Sequence, residues 1–268
     1  MKTDREFLAR GALINGIGFI TRVAAPALVI LLARFYPKAE FGLFISIQAM
    51  VITISRALLL GLDKGLLWYV PKAGRIGGAP WGVASSLWLS AALAAAAFGV
   101  SVTMIETGWV YGLSAFQNAS PSFLLLMAAS VLPFCAVNIF SGALEGARQP
   151  QYRVFLGVFL TMASVPALAL ALKGPLGNAA SLGAGMFLGH LIGASLFIPG
   201  LRKHFPGESW LKPSRPPAQL LNYSLPLAGV ELVSSVLSRV DLWMVLLLLG
   251  PENAAVYAIM VTMANGLR

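Results

Sequence analysis

The chain has 268 residues, of which 58% are hydrophobic and 11% charged, against about 25% charged in soluble domains. It reads as an integral membrane protein with no soluble domain between its apolar segments. The formal charge of +9 comes from basic residues spread over several loops with no aromatic-interleaved patch, which excludes a nucleic-acid footprint and leaves anionic lipid headgroups as their partner.

In chain order, the first apolar segment covers residues 11–35, and its N-terminal flank "MKTDREFLAR" carries charges of both signs. The run behind that flank is too long for a signal sequence. A helix of this length crosses a bilayer, whose core needs roughly 20 apolar residues. That places Arg22 at membrane depth, where a guanidinium costs at least about 2.5–3.5 kcal/mol and requires a partner or a wet cavity. Gly11, Asn15, Gly18 and Arg22 recur at steps of 4, 3 and 4 on one helical face. The glycines suit a tight packing seam, whereas Arg22 is too large for one.

A second span, 40–62, places Gln48, Ser55, Arg56 and Asp63 within one arc. On a straight helix Arg56 and Asp63 stand two turns apart, about 10 Å along the axis, so no direct pairing is expected. Asp63 and Lys64 then mark the cytoplasmic end. Spans at 80–105, 121–144, 152–172 and 179–201 are mostly apolar, with Pro133 and Pro166 inside them; kinks are expected at such prolines. Cys135 is the single cysteine, so neither a disulfide framework nor a multi-cysteine metal site can form. His190 is isolated, no metal-protease or paired-carboxylate spacing occurs, and no enzyme activity is expected.

The seventh span, 220–249, holds the densest polar set: Glu231, Ser234, Ser235, Ser238, Arg239 and Asp241 fall in an arc of about 160° when projected at 100° per residue. Arg239 and Asp241 point apart, so each is expected to find its partner on another helix. A fixed salt-bridge network and a hydrated cavity both satisfy these charges. An eighth span opens near residue 252 and reaches Arg268 without an exit.

Counting Lys and Arg on alternate sides gives twelve on the side of the N-terminus and three on the other, so the N-terminus is expected to be cytoplasmic. A shift of 214 residues lays "FLARGALINGIGFITRVAAPALVILLARFYPKAEFGLF" over "LNYSLPLAGVELVSSVLSRVDLWMVLLLLGPENAAVYA" without a gap, matching Pro37 to Pro251. Such repeats are common in transporters. The expected organisation is an all-α polytopic bundle: a six-span lobe over residues 1–206, a cytoplasmic linker at 207–218, and the start of a second lobe at 219–268. On that reading the chain is an incomplete transporter that does not move substrate by itself.

Four runs, "ARFYPKAEFGLF", "SRALLLGLDKGLLWYVPK", "SGALEGARQPQYRVF" and "SLPLAGVELVSSVLSRVDLWMVLLLLGPENAAVYA", resemble the oligosaccharide and polysaccharide flippases of the multidrug/oligosaccharidyl-lipid/polysaccharide exporter superfamily. At greater distance Arg22 and Arg56 resemble the cavity arginines of lipid II flippases. The resemblance implies a two-lobed transporter of the bacterial plasma membrane that moves a polyprenyl-diphosphate-linked oligosaccharide to the outer leaflet. Its implied partners are that lipid-linked substrate, membrane lipids and other polysaccharide-assembly proteins. No cofactor is implied, and the coupling ion, H+ or Na+, is open. The residues expected to line the substrate cavity are Asn15, Arg22, Gln48, Arg56, Glu231, Ser235, Ser238, Arg239 and Asp241, because guanidinium groups suit a diphosphate. The rivals are a cation-coupled drug or metabolite antiporter of the same superfamily, which would bind through carboxylates, and a non-transporting assembly protein.

Overall fold

A computed structural model describes residues 27–73, 79–154, 161–205 and 216–266, together with Ala12 and Gly16. Among them every regular element is helical. The first helix, α1, is described over 27–35. It is followed by α2 (Lys38–Leu58), α3 (Leu62–Ala73) and α4 (Ala79–Glu106), then two short 3-10 turns (Trp109–Gly112 and Ser114–Phe116). Next come α5 (Pro121–Ala129), α6 (Val131–Gly146), the single turn α7 (Pro150–Tyr152), α8 (Thr161–Leu176) and α9 (Asn178–His204). The described chain closes with α10 (Ala218–Leu237), α11 (Val240–Leu249) and α12 (Pro251–Gly266).

Five of these stretches, Lys38–Leu58, Trp81–Glu106, Pro121–Gly146, Asn178–His204 and Ala218–Leu237, are long and apolar enough to cross a membrane. The protein is an all-α polytopic membrane bundle. Its core sits among α2, α3, α5, α6 and α9, where Phe41, Phe44, Leu66, Phe123, Ile139 and Phe197 are fully buried. The edge helix α10 instead exposes Val230, Val233 and Leu237, a row at helical spacing that lipid tails can cover.

Three spans that read as single stretches in the sequence are broken or kinked, the second of them beside Pro133, where a kink is expected. Between α2 and α3, Leu60 (φ 49°) and Gly61 (φ 69°) take left-handed conformations, which glycine tolerates and leucine adopts only under constraint. The constraint is the close approach of α10: a Cβ on Gly61 would overlap the carbonyl oxygen of Ser224. At Ser130, between α5 and α6, the joint brings Pro133 into the first turn of α6, where a missing N–H leaves no helix hydrogen bond unmade. Between α10 and α11 the Ser238 hydroxyl donates to the Ser235 carbonyl at 3.1 Å, and Arg239 leaves helical geometry at φ −137°, ψ −7°. Serine hydroxyls that bond nearby carbonyls compete with the helix ladder in this way.

The two segments that the 214-residue shift superposes also meet in space. Pro37 caps α2 and Pro251 opens α12. Gly42 on α2 lies so close to the Pro251 carbonyl that a Cβ would overlap it. Thus α2 is clamped by α12 near its start and by α10 near its end.

Candidate functional site

Contacts between the second and seventh spans run in opposite order along the two: Thr53 meets Ser235, Arg56 meets Glu231 and Gly61 meets Ser224. The helices are therefore antiparallel, and their shared seam carries the polar side chains. Hydroxyls of Thr53 and Ser235 share a hydrogen bond at 3.1 Å and are buried. One turn along, Arg56 Nη1 lies 3.2 Å from Asp63 Oδ2 and 3.7 Å from Glu231 Oε2. Lys64 Nζ adds a longer contact to the same Asp63 oxygen at 3.9 Å.

The Arg56–Asp63 pair corrects the straight-helix expectation. The turn at Leu59–Gly61 folds the chain back enough to remove most of the two-turn separation, so the residues bond directly. Asp63 does not simply mark a membrane boundary: its side chain is only 8% exposed, which makes its cationic neighbours a requirement. Two cations, Arg56 and Lys64, face two carboxylates, Asp63 and Glu231, so this part of the seam is balanced in charge.

Arg239 differs. Its Nη1 donates to Ser235 O at 3.2 Å, to Ser235 Oγ at 3.0 Å and to Ser238 Oγ at 3.0 Å. All three acceptors lie in its own span, at the end of α10 and in the break, contrary to the expected partner on another helix. The break at Ser238–Arg239 lets the side chain turn back along α10, which a projection through an unbroken helix cannot represent. Among the described residues it has no acidic partner. A guanidinium has five N–H donors in a planar fork, so the group retains donors that can meet an anion.

Gln48 and Asp241 do not join this seam. Asp241 accepts from Leu242 N at 2.8 Å and from the Tyr257 hydroxyl of α12, so its partner does lie on another helix, away from Arg239. Gln48 Nε2 reaches Met186 Sδ on α9 at 3.7 Å, a weak acceptor inside the bundle. Asn15 and Arg22 lie outside the described residues.

Sequence reasoning missed Thr53, which sits three residues before Arg56 on the same face, and the aromatic closure beyond Gly61. There Trp68 stacks on Tyr223 with centroids 4.7 Å apart and planes within 7°, and Lys72 Nζ lies 3.9 Å above the Trp68 ring. A polar notch of about 20 Å³ adjoins Asp63 and is also lined by Asn138, Ser141, Glu145 and Arg153. It has room for about one water, and Arg153 Nη1 closes on Glu145 Oε2 at 2.6 Å. No signal short of the tertiary fold would have joined Trp68 to Tyr223.

No protein-family model matches the chain, and no curated protein matches it in sequence. Among solved structures the chain is similar to the inward-facing conformation of a multidrug resistance MATE family transporter of the MOP superfamily. The TM-score is 0.60 at 16% identity, over 92% of this chain and 63% of that one. The chain shares that transporter's fold over most of its own length and spans about 63% of the transporter's.

Proposed function

We propose that the chain acts in a membrane transporter that moves a polyprenyl-diphosphate-linked oligosaccharide from the cytoplasmic to the outer leaflet of a bacterial plasma membrane, in cell-surface polysaccharide biosynthesis. The observation that carries this reading is Arg239, a cation at a helix break within an apolar span, whose hydrogen-bond partners among the described residues are all neutral oxygens. A diphosphate offers the charge and the paired oxygens that a guanidinium fork binds bidentately, while the lipid tail stays in hydrocarbon. Ser235 and Ser238 orient the arginine, and Arg56 contributes if an anion displaces Glu231, the more exposed and more distant of its two carboxylates. Residues 1–206 and 219–268 belong to successive lobes in this account, and a coupling ion, H+ or Na+, would drive the exchange.

A drug or metabolite antiporter is the second reading, favoured by the shared fold with a multidrug transporter. In that case the carboxylates of Glu231 and Asp63 would meet a cationic substrate in place of Arg56. Binding to the chain in lipid nanodiscs separates the two. The flippase reading expects a polyprenyl-diphosphate oligosaccharide to bind more tightly than its neutral polyprenol counterpart and more tightly than a lipophilic cation. Preferential binding of the cation would favour the antiporter and overturn the flippase.

A further inference from the structure

A separate cavity of about 410 Å³ lies on the other side of α2 from the charged seam. Its α2 wall is Ile47, Met50, Val51 and Ile54, which share one helical face, whereas Arg56 falls on the opposite one. The remaining wall comes from α4, α5 and α6, and Val110 and Phe116 of the two 3-10 turns close one end. Only Ser101 in the lining carries a polar side chain, and its hydroxyl is already spent on the Ala97 carbonyl at 2.9 Å.

We propose that this cavity is a binding site for one acyl chain of a bilayer phospholipid. Water has no polar partner there, and apolar cavities of this kind stay dry. A void of this size would leave its lining without contact atoms, which close-packed interiors avoid. The walls belong to helices long and apolar enough to cross a membrane, and the lining residues Ile54, Phe98 and Val100 are exposed. The slot therefore opens sideways into bilayer hydrocarbon. At about 30 Å³ per methylene, the share a water molecule takes in the liquid, its volume fits roughly a dozen methylenes. That is most of one fatty-acyl chain but only a small part of a long polyprenyl tail, so the acyl chain is the occupant that the slot holds nearly whole. The bound chain acts as a wedge joining α2 to α4 and α6, behind the helix that carries Arg56. The assignment holds whichever substrate is transported.

The test uses the chain reconstituted in phosphatidylcholine vesicles containing a small fraction of the same lipid with a diazirine in one acyl chain. After irradiation, adducts mapped by peptide mass spectrometry are expected on residues 97–105 and 124–131 in severalfold excess over the exposed row Val230, Val233 and Leu237. Ala128→Trp, and more mildly Ala97→Leu, fill the slot and should lower the cavity adducts while leaving those on α10 unchanged. Should Ala128→Trp fail to fold, Ala97→Leu carries the same reading. Cavity adducts no denser than those on α10, or undiminished in a folded filling variant, would overturn the site. So would preferential labelling of the same peptides by a polyprenyl diphosphate bearing the diazirine, which would make the slot a substrate-tail site.

Discussion

Arg56 and Arg239 look alike in the sequence, both single arginines within apolar spans, yet the fold treats them in opposite ways. Arg56 lies between Asp63 and Glu231 and holds a broken helix against its neighbour. Arg239 rests on three serine oxygens of its own span and has no acidic partner among the described residues. The first is a largely buried ion pair, costly to break and of little use to a ligand while it lasts. The second is a cation whose hydrogen bonds hold it in place without neutralising it, the condition an anion-binding group must meet. On the proposed reading, the local environment of each charge separates a structural role from a binding role.

The largest effect expected from this contrast is on the paired side. Arg56→Ala strands the nearly buried carboxylate of Asp63 with only the longer Lys64 contact and should destabilise the protein by about 3–5 kcal/mol, read by unfolding in detergent. Replacing both members, Arg56→Leu with Asp63→Leu, should restore most of that loss; a double variant as unstable as the single one would show that the pair is not the cause. Next in size is Gly61→Ala. It places a side chain at φ 69° against the Ser224 carbonyl and should cost about 1–3 kcal/mol. An unchanged melting temperature would mean that α10 does not press on this turn. The smallest is Thr53→Val, which removes a buried hydroxyl pair while Ser235 keeps Arg239 as a donor. A loss of about 0.5–1.5 kcal/mol is expected from its melting curve, and a larger loss would make the hydroxyl bridge a main support of the seam.

Much of the fold was legible because twenty-residue apolar runs leave few alternatives in a bilayer. The spans read at 80–105 and 179–201 correspond to α4 at Ala79–Glu106 and α9 at Asn178–His204. The breaks were not legible. Residues 40–62 keep their apolar character through Leu59–Gly61, so hydropathy cannot locate a turn there, and the polar run at Ser234–Asp241 reads equally as one face of an unbroken helix. Gly61 and the serine run were the local cues, but Leu60 is left-handed because α10 presses on the turn, a tertiary effect. That one omission caused the error over Arg56 and Asp63, since helical projection is valid only while the helix continues. The charged residues of the seam were visible individually. Their sorting into a paired set and a lone arginine depended on which helices meet, and Gln48 and Asp241 face neighbours that the sequence pattern does not name.

The central claim is that Arg239 is an anion-binding group and not a structural one. Binding of a polyprenyl-diphosphate oligosaccharide should be measured on wild type and Arg239→Gln in nanodiscs, with melting temperature recorded on the same samples. Loss of a charged hydrogen bond is worth about 1.5–3 kcal/mol, so the Kd should rise about tenfold to hundredfold. The melting temperature should fall by much less than in Arg56→Ala, because the lost bonds go to neutral oxygens and no buried carboxylate is left unpaired. An unchanged Kd, or weakened binding that follows a collapse in stability, would contradict the account.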